Sequence, residues 1–369
     1  MVAKFPCFHH LQEVDMMWSK QEIERYKRQV ILPEMGEEGQ LRLKKAKVLV
    51  VGAGGLGNIV CAYLAAAGVG EITIVDHDTI ESSNLQRQVM YTKNDIGAFK
   101  AEQLSIRLFR LNEFGKYHFF NQQFTEGNCI ELSENQDLIL DCVDQLGVRY
   151  IMNDIAVKKN IPLVYGAIHR FEGQVSVFNY KEGGSYRCAF PESKTMQKSP
   201  TCEEEGVIGV LPGIVGMYQA MEAIKVITGI GNVLSNKILM INLLKTEFVK
   251  MGYKRNKEQI EIALNRFNNL TSSRLNISWE ELSSVLNTKK NCVLVDLQED
   301  LGMNDWNGFP ITHIPDYLFQ DRITEFDTSH TIIVYCQKGV KSLWAMEVLK
   351  VLGYKSVYQI TGGMTTVKA

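Results

Sequence analysis

Short apolar runs rich in β-branched residues alternate with helix-type segments along the first two thirds of the chain. Residues 47–51 (KVLVV) and 71–75 (EITIV) have the composition of parallel strands that are buried on both faces. A glycine-rich turn and an apolar helix over residues 58–67 lie between them, which predicts a βαβ unit. Similar patterns predict two N-terminal helices, three further strands and a core helix, at residues 24–29, 36–45, 138–140, 163–165, 174–179 and 213–227. The pattern therefore predicts a Rossmann-like α/β domain with a mostly parallel sheet.

The apolar pattern fades over residues 252–275, where Lys, Arg, Asn and Ser dominate, and returns after them. Ser278 and Glu281 form a capping-box pattern, which predicts the start of a helix. Two strands and a further helix follow, at residues 293–297, 331–335 and 342–352. We therefore expect a first domain, a linker and a second, small α/β domain, over residues 1–251 (with an N-terminal extension at 1–17), 252–275 and 276–369. The pattern leaves open whether part of the linker is helical.

Composition narrows the functional classes. The chain has 369 residues, of which 45% are hydrophobic and 22% charged, as in ordinary globular proteins. Its net charge of −2 gives no general attraction to polyanions, so no nucleic-acid partner is expected. No apolar run reaches the roughly 20 residues of a membrane span, and residues 1–12 lack a signal pattern. We therefore expect a cytoplasmic protein with no membrane association.

The eight cysteines are scattered and form no Cys-x-x-Cys pair. This distribution argues against a disulfide framework and indicates reduced thiols. It also argues against a zinc site built from pairs of cysteines.

A glycine-rich loop predicts a nucleotide site. Gly52, Gly54 and Gly57 lie directly after a strand and before a helix. Glycines let the backbone approach phosphates, and the N-terminus of a helix favours negative charge. Asp76 ends the next strand, where its carboxylate can accept hydrogen bonds from ribose hydroxyls. Taken alone, this pattern fits a dinucleotide, another nucleotide, or tight strand–helix packing with no ligand.

The residues after Asp76 favour phosphate chemistry over hydride transfer. Arg87 and Lys100 supply two cations, and Asp141 and Asp144 follow the strand at residues 138–140. Cations and a carboxylate that can hold Mg²⁺ neutralise the charge that develops as pyrophosphate leaves. A nicotinamide site needs neither, although each cation taken singly also fits a solvated face.

Together these motifs resemble the MoeB/ThiF family of adenylating enzymes, the bacterial relatives of ubiquitin-activating enzymes. The resemblance spans residues 18–250 and keeps every motif in order: RYKRQ at 25–29, GAGGLG at 52–57, DHD at 76–78, SNLQRQ at 83–88, G-x-x-K at 97–100 and DC-x-D at 141–144. It implies that ATP and Mg²⁺ are used to adenylate the C-terminal glycine of a ubiquitin-like sulfur-carrier protein.

The resemblance also assigns roles to residues. It implies that the glycine loop and Asp76 contact the nucleotide, and that Asp144 binds magnesium. The ribose and phosphates would be surrounded by Ser83, Asn84, Leu85, Gln86, Arg87 and Lys100. The nucleotide-binding glycines are Gly52, Gly54, Gly55 and Gly57. Arg28 would reach into the active site of the other subunit, because the family forms homodimers.

Two positions depart from the family pattern. Gln145 follows Asp144, where the family usually has Asn, so a longer side chain stands beside the triphosphate. The family usually binds zinc with two Cys-x-x-Cys pairs. Ser185 and Cys188 occupy the place of the first pair, and residues 251–259 contain no cysteine for the second. We therefore predict no zinc.

Cys336 is the candidate sulfur-transfer residue. It lies between an apolar strand and a helix, where converging backbone N–H groups can stabilise a thiolate or persulfide, and Lys341 adds a positive charge nearby. The surrounding motifs, VLVD at 293–296, HIP at 313–315 and TGG at 361–363, resemble rhodanese domains over residues 276–364. The resemblance implies that Cys336 carries sulfur as a persulfide. Asp296-Leu-Gln298 departs from the usual Asp-Val-Arg of rhodaneses.

Cys202 is the second candidate thiol. Its polar surroundings at residues 199–206 predict an accessible loop. In some family members the cysteine at this position forms a covalent link to the carrier. The three glutamates that follow would raise the pKa of its thiol, so a resolving role fits it better than that of a primary nucleophile.

The order of the two domains resembles proteins that make a carrier thiocarboxylate. The fusion favours a MoaD-like carrier, as in molybdenum-cofactor synthesis, over a ThiS-like carrier of thiamin synthesis. It also implies an upstream persulfide donor such as a cysteine desulfurase. Two alternatives of other classes are a dinucleotide-dependent oxidoreductase, which would bind NAD(P)H, and a non-catalytic scaffold that only binds the carrier.

Overall fold

A computed structural model describes residues 18–192, 206–273, 275–289, 291–300, 302–337 and 339–366. The chain divides into two compact units. Unit 1 comprises Met1–Thr125 and Cys129–Leu264, and unit 2 comprises Glu126–Asn128 and Asn265–Ala369.

Unit 1 is built on one eight-stranded sheet of order β3-β2-β1-β4-β5-β6-β7-β8. Its strands are β1 Lys47–Val51, β2 Glu71–Val75, β3 Lys116–Phe120, β4 Leu138–Asp141, β5 Leu163–His169, β6 Glu172–Phe178, β7 Lys237–Asn242 and β8 Glu247–Gly252. The first five pair in parallel and the last three are antiparallel. The prediction of a Rossmann-like domain with a mostly parallel sheet is therefore confirmed.

The helices of unit 1 connect these strands and cover the sheet. They are α1 Lys20–Val30, α2 Gly36–Lys45, α3 Gly55–Ala67, α4 Lys100–Leu111, α5 Cys129–Leu132, α6 Leu146–Lys159, α7 Tyr186–Ala189 and α8 Val210–Thr228. Helix α9, Lys257–Ser273, follows β8 and covers most of the stretch that the sequence describes as polar. Ser19 caps α1 in a reciprocal capping box with Glu22.

The core of unit 1 lies on both sides of β1. Leu49 and Val50 are fully buried in the middle of the sheet, as expected for a strand that has parallel neighbours on both edges. Helix α8 has 19 residues and is long and apolar enough to cross a membrane by length and composition. Its residues Leu211, Val215 and Ala223 are buried in the core cluster that includes β1, so the helix packs as a core helix of the domain.

Unit 2 contains a six-stranded sheet of order β11-β12-β10-β13-β14-β9. The strands are β9 Leu275–Ile277, β10 Cys292–Asp296, β11 Asp305–Trp306, β12 Phe309–His313, β13 Thr331–Tyr335 and β14 Ser356–Ile360. Its helices are α10 Trp279–Thr288, α11 Phe319–Arg322 and α12 Val340–Val351. Ser278 and Glu281 form the predicted capping box at α10, and the small α/β domain is confirmed.

Candidate active site

The glycines of the first loop meet different surroundings. Gly52 has φ +98°, and a Cβ there would lie 2.5 Å from the carbonyl oxygen of Cys142. A Cβ on Gly57 would lie 2.0 Å from the carbonyl oxygen of Gly52. At Gly54, by contrast, the nearest atom would be Nε2 of Gln88 at 3.7 Å. Gly52 and Gly57 are therefore required by the packing of the loop itself, whereas Gly54 leaves open backbone at the N-terminus of α3.

Asp76 holds the glycine loop from the end of β2. Its Oδ2 accepts a hydrogen bond from Ala53 N at 2.6 Å, and its Oδ1 accepts one from Asp78 N at 2.8 Å. Burial raises the pKa of the Asp76 carboxyl, against the lowering effect of these two hydrogen bonds. Each carboxylate oxygen keeps further acceptor capacity, so the side chain can still bind ribose hydroxyls.

Two buried residues that sequence reasoning missed fix the same loop from the other side. The Asn58 amide donates to Ala53 O at 2.8 Å and accepts from Met90 N at 2.9 Å. The Tyr91 hydroxyl lies 2.8 Å from Ala53 O and 3.0 Å from Lys100 O. The available signal was an asparagine inside the otherwise apolar helix α3, since a buried amide requires partners.

The two predicted cations, Lys100 and Arg87, differ in burial. The Lys100 side chain, at the start of α4, is 9% exposed and pairs with Asp78 Oδ2 at 2.8 Å. Arg87 is half-buried and donates to Ser83 O at 3.1 Å. Both cations therefore have internal partners and are held near the end of β2.

A cavity of about 470 Å³ opens where the parallel strands end. This is the edge at which open α/β sheets bind ligands. Eight of the predicted site residues line it: Gly52, Gly54, Gly55, Asp76, Arg87, Lys100, Asp144 and Gln145. Five others do not line it: Gly57, Ser83, Asn84, Leu85 and Gln86. Asn84 is buried and caps the turn before Arg87 by accepting from Glu81 N.

The carboxylates after β4 occupy different environments. Asp141 is fully buried and pairs with Arg149, whose Nε lies 3.1 Å from Asp141 Oδ2. Asp144 is exposed and lines the cavity. Arg149 also lines the cavity, and sequence reasoning missed it. A cation on the largely apolar helix α6 was the signal that could have marked it.

The cavity offers oxygen ligands that suit Mg²⁺. Within the described part of the chain, the one group of three metal-ligand side chains is Asp76, His77 and Asp78, with ligand atoms within 4.8 Å of one another. Asp144 adds a further exposed carboxylate on the cavity wall. Mg²⁺ usually keeps several waters and binds through one or two carboxylates plus substrate phosphates, so these donors fit the ion.

At the position where the family binds zinc, the residues of this chain are joined by hydrogen bonds. Cys188 Sγ lies 3.4 Å from Ser185 Oγ, donates to Asn256 O at 3.6 Å and accepts from Asn256 N at 3.3 Å. Arg255 reinforces the contact by donating to Gly183 O at 2.8 Å. One thiol that both donates and accepts hydrogen bonds does not fit a tetrahedral thiolate zinc site.

Cys336 follows β13 and is 2% exposed. Its Sγ lies 3.8 Å from Ser342 Oγ in α12, and its carbonyl accepts a hydrogen bond from Met364 N. A Cβ on Gly363 would lie 1.8 Å from that carbonyl oxygen. The TGG segment therefore packs directly against the backbone of Cys336.

Lys341, the expected positive neighbour of Cys336, forms ion pairs of its own. Its ammonium pairs with Asp316 at 3.0 Å and with Glu299 at 3.4 Å, so its charge is compensated by two carboxylates. Cys202 lies outside the described residues. Arg28 is exposed at the end of α1 and does not line the cavity of its own chain.

Comparison with known proteins supports the two-part organisation. The model of the ThiF family matches residues 26–261, and the model of the rhodanese-like domain matches residues 278–369. The sulfur carrier protein adenylyltransferase of Thermus thermophilus is 46% identical over 246 residues, which cover 65% of this chain and 91% of that protein.

Two further comparisons bear on the architecture and the fold. The probable adenylyltransferase/sulfurtransferase MoeZ of Mycobacterium tuberculosis is 33% identical and covers 94% of this chain and 93% of its own length. The crystal structure of E. coli MccB with MccA-N7isoASN has a TM-score of 0.54 at 22% identity, covering 59% of this chain and 67% of that chain. The latter likeness concerns the fold alone.

Proposed function

Because the chain belongs to the ThiF family and carries a rhodanese-like domain after its ThiF domain, we propose that it adenylates the C-terminal glycine of a ubiquitin-like sulfur-carrier protein and converts it into a thiocarboxylate. The observation that carries the proposal is the cavity at the ends of the parallel strands. It combines open glycine backbone at Gly54 with Arg87, Lys100 and Asp144.

In the adenylation step the carrier carboxylate attacks the α-phosphorus of ATP, and pyrophosphate leaves. The attacking carboxylate is already ionised, so no general base is needed. Catalysis then depends on positioning and on stabilising charge. Gly54 and Gly55 admit the phosphates, Asp76 binds the ribose, and Arg87 and Lys100 counter the growing negative charge. Asp144 would hold Mg²⁺, which neutralises phosphate charge when it is bound.

In the sulfur step the terminal sulfur of a Cys336 persulfide attacks the carbonyl carbon of the acyl adenylate. AMP leaves with the electron pair of the broken acyl–oxygen bond, and the carrier is joined to Cys336 through an acyl disulfide. Cys202, as resolving thiol, then attacks the Cys336 sulfur. This releases the thiocarboxylate and leaves a Cys202–Cys336 disulfide, which a cellular dithiol reduces.

The active unit in this proposal is a homodimer. An apolar groove of about 380 Å³ lies between α3 and α8, with Gln29 at its edge. Tyr63, Met217 and Met221 line it and are 51%, 44% and 44% exposed. Exposed apolar surface of this kind is typical of an interface. Arg28 adjoins the groove in sequence, which suits a residue that acts in the neighbouring subunit.

The favoured carrier is MoaD-like, because proteins with this domain order act in molybdenum-cofactor synthesis. A ThiS-like carrier is the alternative. The persulfide donor is a cysteine desulfurase or a similar enzyme, and the protein works in the cytosol without a bound zinc ion.

ATP–pyrophosphate exchange tests the adenylation step. Exchange should appear with Mg²⁺ and one of two added carriers, MoaD-like or ThiS-like, and should be lost in Asp144→Ala. The responding carrier then identifies the pathway. Absence of exchange with both carriers, together with binding of NAD(P)H, would favour the oxidoreductase alternative.

Mass spectrometry of the carrier tests the sulfur step. Cys336→Ser should leave pyrophosphate exchange intact. It should prevent the increase in carrier mass of about 16 Da that results when sulfur replaces one carboxylate oxygen. Unchanged thiocarboxylate formation in Cys336→Ser would instead support a scaffold role for the C-terminal domain.

A further inference from the structure

Side chains hold three backbone groups at the start of the turn that follows β4: Asp141 O, Val143 N and Val143 O. Asp141 ends the strand and is fully buried. Its Oδ1 accepts a hydrogen bond from Val143 N at 3.2 Å. The amide of Gln219, in α8, donates to Asp141 O at 2.7 Å. The turn therefore begins from a fixed point in the core.

Arg149 holds the next peptide group, on the carbonyl side of Val143. Its Nη2 donates to Val143 O at 2.6 Å, and its Nε lies 3.1 Å from Asp141 Oδ2. The guanidinium also packs over the ring of Tyr165 at 5.3 Å. Asp141 thus binds the Val143 N–H while Arg149 binds the Val143 carbonyl, and the two side chains form an ion pair with each other.

The turn is also pressed against the glycine loop. Cys142 N donates to Val51 O at 2.9 Å. A Cβ on Gly52 would lie 2.5 Å from Cys142 O and 3.3 Å from Val143 N. The absence of a side chain at Gly52 therefore lets the Cys142–Val143 peptide pack directly against the glycine loop. The next two residues, Asp144 and Gln145, line the cavity.

We propose that Arg149 and Asp141 are positioning residues that lock the two peptide groups on either side of Val143 and thereby aim Asp144 and Gln145 into the nucleotide cavity. This inference rests on the proposed function, since it assigns Asp144 to magnesium-bound ATP. A buried ion pair is a weak source of stability, because apolar residues of similar volume are often as good or better. Positioning gives the pair a function at this site that apolar residues would not provide.

The structure offers a matched control for the loss of a buried ion pair. Arg187 and Asp154 form a second pair in the same unit, with Arg187 Nε 2.7 Å from Asp154 Oδ1 and both side chains at most 2% exposed. Neither residue lines the nucleotide cavity. Removing this pair should therefore affect stability without affecting magnesium-bound ATP.

The test compares two charge-free double variants of the full-length protein, Arg149→Gln/Asp141→Asn and Arg187→Gln/Asp154→Asn. Neutralising both partners avoids leaving one buried charge unpaired. Calorimetry of MgATP binding needs no carrier, and pyrophosphate exchange then gives the Mg²⁺ concentration for half-maximal rate. We expect the first variant to weaken MgATP binding and to raise that concentration by about 10- to 100-fold, the usual effect of losing an outer-shell partner. The second variant should leave both values unchanged.

A background that lacks both aimed side chains separates positioning from direct contact. If Arg149 acts through Asp144 and Gln145, adding Arg149→Gln/Asp141→Asn to Asp144→Ala/Gln145→Ala should weaken MgATP binding no further. Additive losses would show that Arg149 touches the substrate itself and would overturn the proposal, as would unchanged MgATP binding in a folded Arg149→Gln/Asp141→Asn protein. Should the wild type bind MgATP but exchange pyrophosphate with neither carrier, the proposed function would fail while the binding arm still tests the positioning pair.

Discussion

Gly54 and Gly57 belong to one loop, yet substitution by alanine should affect them differently. The Cβ of Gly57→Ala would meet the Gly52 carbonyl at 2.0 Å. The backbone must then shift, which we expect to lower the free energy of unfolding by about 1–3 kcal/mol. Gly54→Ala has room within the protein and a negative φ of −77°. Its free energy of unfolding should change by less than about 0.5 kcal/mol.

MgATP binding supplies the second half of this prediction. Gly54→Ala should weaken binding by about tenfold or more, because the new methyl group occupies the backbone approach of a phosphate. Urea unfolding and calorimetry on the same preparations measure the two effects. Wild-type affinity in Gly54→Ala would show that phosphates do not approach this glycine.

The ionisation of Asp141 predicts a pH dependence of stability. Burial raises the pKa of its carboxyl from 3.8 to about 6, although the Arg149 charge opposes the shift. A raised folded-state pKa means that the folded protein binds the proton more tightly than the unfolded chain between these values. The contribution of Asp141 to stability therefore improves as pH falls from 7 to 5, by about 1 kcal/mol.

The measurement is the difference in free energy of unfolding between wild type and Arg149→Gln/Asp141→Asn across that pH range. Taking the difference removes the other titrating groups. We expect the free energy of unfolding of the wild type to rise relative to that of the variant as pH falls. A difference that stays constant, or that moves against the wild type, would show that Asp141 keeps an ordinary pKa in the folded protein.

At the scale of elements, hydrogen bonds join the segments around Gly183 and Asn256. The family pattern places a zinc ion between the corresponding segments. Cys188 bonds to both backbone groups of Asn256, and the Asn236 side chain accepts from Gly184 N at 2.9 Å. We therefore expect a strong chelator to leave the unfolding midpoint unchanged. Cys188→Ser should lower the free energy of unfolding by only about 1 kcal/mol, the worth of an ordinary hydrogen bond.

Metal analysis of the purified protein provides the control for this prediction. Stoichiometric zinc that resists dialysis and is lost in Cys188→Ser would contradict it. Arg255→Ala removes the hydrogen bond to Gly183 O without touching any possible metal ligand. It should therefore destabilise the protein equally with and without chelator.

The elements differ in how far the sequence predicts them. β1, β2, α2 and β13 have the predicted bounds, because a buried apolar run or a strong helix pattern is a local signal. β3 escaped prediction since it is an exposed edge strand, with four of its five residues exposed. The polar stretch expected to link the domains forms helix α9 over most of its length. Arg149 was missed because its role depends on Asp141, eight positions earlier in the chain. The turn that brings the two side chains together is formed only in the folded structure.

At the scale of the whole molecule, the two activities lie on separate units of one chain. If the persulfide reacts with an acyl adenylate formed on its own chain, the covalent connection gives it an effective concentration of up to about millimolar. Free Cys336→Ser protein mixed with Asp144→Ala protein should therefore restore thiocarboxylate formation only weakly. Mass spectrometry of the carrier at rising concentrations of the two variants measures this. Full restoration at micromolar protein would show that the covalent connection is not needed.

The proposed homodimer predicts how Arg28 contributes to activity. If Arg28 acts in the neighbouring subunit, Arg28→Ala and Asp144→Ala should each abolish pyrophosphate exchange alone. Dissociated and reassociated together, they form mixed dimers in which one site has both an intact Asp144 and an intact Arg28. Random mixing then gives about a quarter of wild-type activity.

Met221→Glu supplies the control, since it places a charge in the apolar groove between α3 and α8. Introduced into both variants, it should prevent dimers and therefore complementation, with sedimentation measuring the oligomeric state. If stable mixed dimers form but show no pyrophosphate exchange, Arg28 does not act in the active site of the neighbouring subunit. Complementation that persists with Met221→Glu would show that activity does not depend on the apolar surface that Tyr63 and Met217 form.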